Sequence, residues 1–187
     1  MEIDKELFQF YLLKEGSSLS EEQFQKILDQ SRTKLAKDFA LDYLGSSSRS
    51  EHEIRQRLRR KKIPPSHADR AIGDLKRAGL VNDEGYALQL SKDLIERKPM
   101  GPFLLRQELK KRGIPEEIIS TTIEKIFQDY SIPELINRAL DRKPQLKRIT
   151  DDQERKKKIH DFLLRRGFGW DEISGNVGEI ESGLKKQ

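Results

Sequence analysis

The chain has 187 residues, 37% of them charged and only 34% hydrophobic, a balance that disfavours one large central core. Its 37 Lys and Arg exceed its 32 Asp and Glu, giving a formal charge of +5. It has no cysteine, which excludes disulfides, thiolate metal sites and thiol catalysis and fits a reducing compartment. No run of about 18 apolar residues is present to span a membrane. The opening MEIDKELFQFYLLKEG carries acids early and lacks a basic n-region and a small-residue cleavage site, so it does not read as a signal peptide. A cytoplasmic location is the expectation.

The apolar spacing is helical almost throughout. Phe24, Ile27, Leu28, Leu35, Phe39 and Tyr43 step by three or four, broken once between Leu28 and Leu35. Ser20 with Gln23 opens this stretch as a capping box, and Gly45 with the serines after it closes it. Ser50 with Glu53 caps a short helix carrying Ile54 and Leu58. Ile63-Pro64-Pro65 then breaks the chain. The next helix carries Ala68, Ala71, Ile72 and Leu75, and Gly79 stands where a C′ glycine belongs. Asp83 is placed to cap a helix with Tyr86, Ala87, Leu90 and Leu94, in which Tyr86 should face the core. Pro102 suits a first helical turn, and Leu105 and Leu109 follow before Gly113. Ile114-Pro115 leads to a helix with Ile119, Ile123 and Ile126.

The chain repeats itself. Leu58-Arg59-Arg60-Lys61-Lys62-Ile63-Pro64 matches Leu109-Lys110-Lys111-Arg112-Gly113-Ile114-Pro115 at an offset of 51. A weaker third copy, Leu163-Leu164-Arg165-Arg166-Gly167-Phe168-Gly169, follows at an offset of 54. Its first helix should be Pro133 to Arg142, followed by a loop around Pro144, with Thr150 and Gln153 capping its second helix. Gly175 and Gly178 should weaken its last helix. The expected fold is all-α: an elongated, curved array of three tandem three-helix repeats. The expected divisions are a helical lead-in over 1–35 and repeats over 36–80, 81–130 and 131–187. Three small cores in a row would account for the low apolar fraction.

Basic runs recur at one structural position: Arg57, Arg59, Arg60, Lys61 and Lys62, then Lys110, Lys111 and Arg112, then Arg165 and Arg166. Stacked repeats would align them along one edge, suited to a nucleic-acid backbone or an acidic protein groove. Cations at helix C-termini also offset the macrodipole by about 0.3–1 kcal/mol each, so capping is a competing explanation. The first run exceeds what a helix end needs. Arg155, Lys156, Lys157 and Lys158 open close to a helix N-terminus, where the dipole gives them no reason to be. Trp170 is expected to pack locally beside Phe168; stacking on a base or anchoring a partner is the alternative. The three histidines have no metal-ligand spacing, and no phosphate-binding loop or nucleophile–base arrangement is present. The chain reads as a non-enzyme without cofactor or metal.

The residues resemble the RecX family, the bacterial regulators of RecA recombinase. The likeness lies in Ala40-x-x-Tyr43-Leu44, Arg49-Ser50-Glu51-x-Glu53-Ile54-x-x-x-Leu58 and Gly79-Leu80-x-Asn82-Asp83-x-x-Tyr86-Ala87. It continues in Arg97-x-x-x-Gly101-Pro102-x-x-Leu105-x-x-Glu108-Leu109-Lys110-x-x-Gly113-Ile114. Lys62 departs from the family's glycine. The resemblance implies a tandem three-helix fold and a monomer that binds the RecA–DNA filament. It would thereby inhibit strand exchange or ATP hydrolysis, or promote disassembly, with some contact to single- or double-stranded DNA. A general nucleic-acid-binding helical module, acting without RecA, is the alternative.

Overall fold

The computed structural model describes residues 18–45 and 47–176, and every regular element among them is helical. Helix α1 (Glu21–Leu44) is followed by α2 (Glu51–Arg60), α3 (Pro65–Arg77), α4 (Asp83–Arg97), α5 (Pro102–Lys111) and α6 (Glu116–Asp129). Then come α7 (Ile132–Asp141), the single turn α8 (Pro144–Lys147), α9 (Asp152–Arg165) and a stretch α10 over 170–176. Both expected capping boxes form, Ser20 with Gln23 and Ser50 with Glu53. Helix α1 runs unbroken through residue 35, so the expected end of the lead-in falls mid-helix. The loop expected around Pro144 is instead the turn α8. The cap of α9 is Asp151, whose carboxylate accepts from Glu154 N–H at 2.7 Å, one residue beyond the expected Thr150. Gly178 and the first seventeen residues lie outside the described residues.

The repeated sequence motif is a helix terminator. In α2, Ile63 N–H donates to Leu58 C=O at 3.1 Å and Lys62 N–H to Arg59 C=O at 2.9 Å. The same pair of bonds runs from Ile114 to Leu109 and Gly113 to Lys110 in α5, and from Phe168 to Leu163 and Gly167 to Leu164 in α9. This is the Schellman arrangement: it satisfies two orphan carbonyls and turns the following apolar residue inward. Leu58, Leu109 and Leu163 are each 0% exposed, and Ile114 and Phe168 are buried beside them. The motif requires a left-handed residue, supplied by Gly113 (φ 70) and Gly167 (φ 79) but by Lys62 (φ 60) in the first repeat. A side chain in that conformation costs about 1–2 kcal/mol.

Two compact units form, Met1–Asp83 and Glu84–Gln187. The buried apolar residues accordingly form two clusters, not three. One joins Ala36, Ala40, Ile54, Leu58, Ala71, Ile72 and Leu75. The other runs from Ala87 through Leu105, Leu109 and Ile126 to Leu135, Phe162, Leu163 and Ile173, so the second and third repeats share it. Tyr86 packs half-buried against this larger cluster, as its spacing predicts.

Polar contacts tie each unit together. Asp29 of α1 pairs with Arg70 of α3, and His67 Nδ1 stands 3.1 Å from Thr33 Oγ1. Glu51 meets Lys76 and Arg55, both at 2.8 Å, and Asp83 accepts from Glu51 N–H at 2.8 Å. Asp83 is itself the first residue of α4, and its carboxylate reaches across to the start of α2.

Hydrogen bonds from Lys76 and then Arg55 hold the Glu51 carboxyl below its ordinary 4.5, whereas burial pushes Asp83 up. A depressed carboxylate contributes stability that is complete above its unfolded value and is lost as pH falls through the folded one. Protonating Asp83 relieves a desolvation cost and acts in the opposite sense. Thermal melts of Glu51→Gln between pH 6 and 3 should therefore show a flatter acid limb than wild type. The difference should stay below about 1 kcal/mol, since the Glu51 partners Lys76 and Arg55 are exposed to solvent. A limb as steep as wild type would remove Glu51 from the account.

Candidate functional site

The three expected basic runs sit on the three equivalent helix ends. In each, the last helical residue and the C-cap are cationic: Arg60 and Lys61, Lys111 and Arg112, Arg165 and Arg166. There the macrodipole is offset, as the capping explanation requires. Arg57, Arg59 and Lys62 are additional to that need.

The partners of these cations differ. In α5, Lys110 pairs with Glu116 at 3.0 Å and Lys111 with Glu108 at 2.7 Å. In α9, Arg155 and Lys156 pair with Asp152 and Lys158 pairs with Glu154 at 2.6 Å, all within the helix's own first turns. The carboxylates that favour this N-terminus thus also neutralise most of the run expected to lie free. Arg57 and Lys61 lie over the rings of Tyr43 and Phe39, with centroid distances of 5.6 and 5.0 Å. Arg166 covers Phe162, and burial lowers its affinity for its proton. Arg59, Arg60, Lys62, Lys157 and Arg165 have no side-chain partner among the described residues. Three of these five belong to the first repeat.

The cationic ends in the second unit are positioned by an unusual contact. The carbonyls of Arg166 and Gly167, closing α9, accept from Gly101 N–H at 2.9 Å and Phe103 N–H at 3.1 Å, which open α5. Orphan groups of two helix ends thereby satisfy each other. The Arg165–Arg166 run therefore lies at one end of α5 and the Lys110–Arg112 run at the other, about 15 Å apart for ten residues at 1.5 Å each. Close approach demands the two glycines. A Cβ on Gly101 would fall within 3.0 Å of Gly167 O, and one on Gly167 within 3.0 Å of Leu104 N.

One residue departs from its sequence expectation. Phe168, the inward residue of the α9 terminator, is 2% exposed, but Trp170 is 64% exposed with its ring 4.1 Å from the His160 ring, edge to face. Trp170 is thus on the surface and not in the local core: it opens α10 after the inward position has already been filled. Arg142, which sequence reasoning did not single out, closes a neighbouring helix. Its guanidinium donates to the carbonyls of Glu96, at 3.1 Å, and Arg97, closing α4 from α7. Arg138 pairs with Glu96 at 2.7 Å alongside it. No group of three His, Asp or Glu able to hold a metal occurs among the described residues, and no described helix is long and apolar enough to cross a membrane.

Family models described as the first, second and third three-helix domains of RecX match residues 36–75, 82–123 and 131–175. The chain belongs to the RecX family. A regulatory protein RecX of Pelodictyon phaeoclathratiforme is 33% identical over 138 residues, 74% of this chain and 84% of that protein. One of Prosthecochloris aestuarii is 30% identical over 154 residues, covering 82% and 98%. A crystal structure of regulatory protein RecX superposes with a TM-score of 0.78 at 22% identity, covering 94% of this chain and 86% of the other. That of RecX from Lactobacillus salivarius gives 0.71 at 22% identity, covering 81% and 98%. These two structures support the RecX fold, and the relatives a RecX regulatory role.

Proposed function

We propose that the protein binds the RecA–DNA filament and modulates RecA, lowering strand exchange, ATP hydrolysis or filament growth. The observation that carries this reading is the succession of three RecX domains in family order along the chain. Binding alone is insufficient for inhibition: the protein must favour a filament state that is incompetent for exchange. The protein would act as a monomer in the cytoplasm, without catalysis or a cofactor. The test is RecA ATPase on single-stranded DNA with substoichiometric protein. ATPase should fall severalfold; an unchanged rate at every ratio would overturn the reading.

The unpartnered cations favour one second reading, a helical module that binds nucleic acid without RecA. Direct phosphate binding then shows a log–log salt slope of about −0.7 per single-strand phosphate neutralised. Filament-dependent binding should be weak on DNA alone.

A further inference from the structure

Between α2 and α3 of the first repeat lies an open groove of about 290 Å³. Ile63 and Ala68 give it an apolar floor, and His52, Arg55, Gln56 and Arg59 stand around it. Its volume lies at the lower bound of pockets that take whole small molecules, about 300 Å³, and accommodates a large side chain. His52 and Gln56 are hydrogen-bonded to each other at 2.7 Å along the rim. Arg55 is already held by Glu51 and Asp69, which leaves Arg59 as the open donor. Arg60, which ends the helix, and Lys62, which lies just beyond it and precedes the lining residue Ile63, also lack a side-chain partner among the described residues.

Lys62 is a second and independent observation. It occupies the left-handed position that the other two repeats give to Gly113 and Gly167. Strain held at a site points toward a use for the residue that bears it. Capping does not need it, because Arg60 and Lys61 already stand at that helix end. A bare phosphate backbone would use the cations and leave the apolar floor empty. A protein segment presenting an apolar side chain next to a carboxylate uses both.

We propose that this groove is the docking pocket of the first repeat, receiving an apolar side chain of the protein partner while a neighbouring acidic residue meets Arg59 and Lys62. The inference rests on the filament reading above, and it assigns the first repeat a protein contact in place of a DNA contact. Two variants of the full chain separate the cases. His52→Trp fills the groove from an exposed position, and Lys62→Gly removes the charge while relieving the backbone. Each is measured in three ways: inhibition of RecA ATPase on single-stranded DNA, binding to the same DNA without RecA, and thermal melting. Lys62→Gly should melt about 2–4 °C higher than wild type, yet need about threefold more protein to inhibit. His52→Trp should melt as wild type and need about tenfold more. A purely structural Lys62 would give the higher melting point with unaltered or better inhibition. Inhibition by both variants equal to wild type overturns the groove. So does a loss of RecA-free DNA binding that parallels the loss of inhibition, which would make the contact a phosphate one. If the wild-type chain itself fails to inhibit, the filament reading falls and the groove proposal with it.

Discussion

Gly167→Ala should destabilise the second unit by roughly 2–4 kcal/mol, combining a left-handed side chain with overpacking against backbone. The reason is geometric. At φ 79 the new Cβ is strained in any surroundings, and here it also meets the Leu104 backbone within 3.0 Å. Backbone cannot rotate away as a flexible side chain would. Relief requires the end of α9 to withdraw from α5. That breaks the bonds from Gly101 N–H and Phe103 N–H and loosens Leu163 and Phe168 in the shared core. Gly101→Ala isolates the second cause, because its φ of −86 is ordinary for any residue. It should therefore cost less than Gly167→Ala, by about the 1–2 kcal/mol of the left-handed conformation. Urea unfolding of both variants checks the order. A Gly167→Ala change within 0.5 kcal/mol of wild type would show that the junction yields without cost.

The features the sequence displayed were those settled within a turn or two. Ser20 and Gln23, or Ser50 and Glu53, need only three residues of spacing to satisfy two N–H groups. The terminators that begin at Leu58, Leu109 and Leu163 are equally local. Lys62 was visible as a departure, although its strain was not, because strain depends on the terminator actually forming. The contacts that escaped are long-range. Nothing near Gly101 in sequence indicates that Gly167 lies against it, so the local pattern carries no sign that the second and third repeats share one core. Arg142 reads as one more cation until α4 places two carbonyls beneath it. The candidate site shares this division. Which residues are basic is plain in the chain, but whether Lys110 is open or held by Glu116 depends on how α6 starts relative to α5.

That distinction sets the expected result of reversing charge at these positions. Arg59→Glu with Arg60→Glu replaces two cations that have no side-chain partner among the described residues, so the folding cost is that of the helix-end dipole alone, about 0.3–1 kcal/mol per site. Lys110→Glu with Lys111→Glu breaks pairs with Glu116 and Glu108 and turns each into a like-charge contact. That double should lose about 0.5 kcal/mol per site beyond the same dipole cost. The order should reverse for function. A cation already paired offers a partner little net charge, whereas an open one offers all of it. Reversing the first pair should weaken filament inhibition on the order of tenfold, at about 0.7 kcal/mol per lost contact. Reversing the second pair should change it by less than about threefold. The measurements are inhibition midpoints at two salt concentrations beside helicity and melting temperature. Surface contacts of this kind are screened over about 8 Å at physiological ionic strength, so the gap between the doubles should narrow as salt rises. If the Arg59 and Arg60 double inhibits like wild type while remaining folded, the first-repeat cations serve the helix end alone. The partner surface must then be sought on the second unit, where Arg165 and Lys157 are also open.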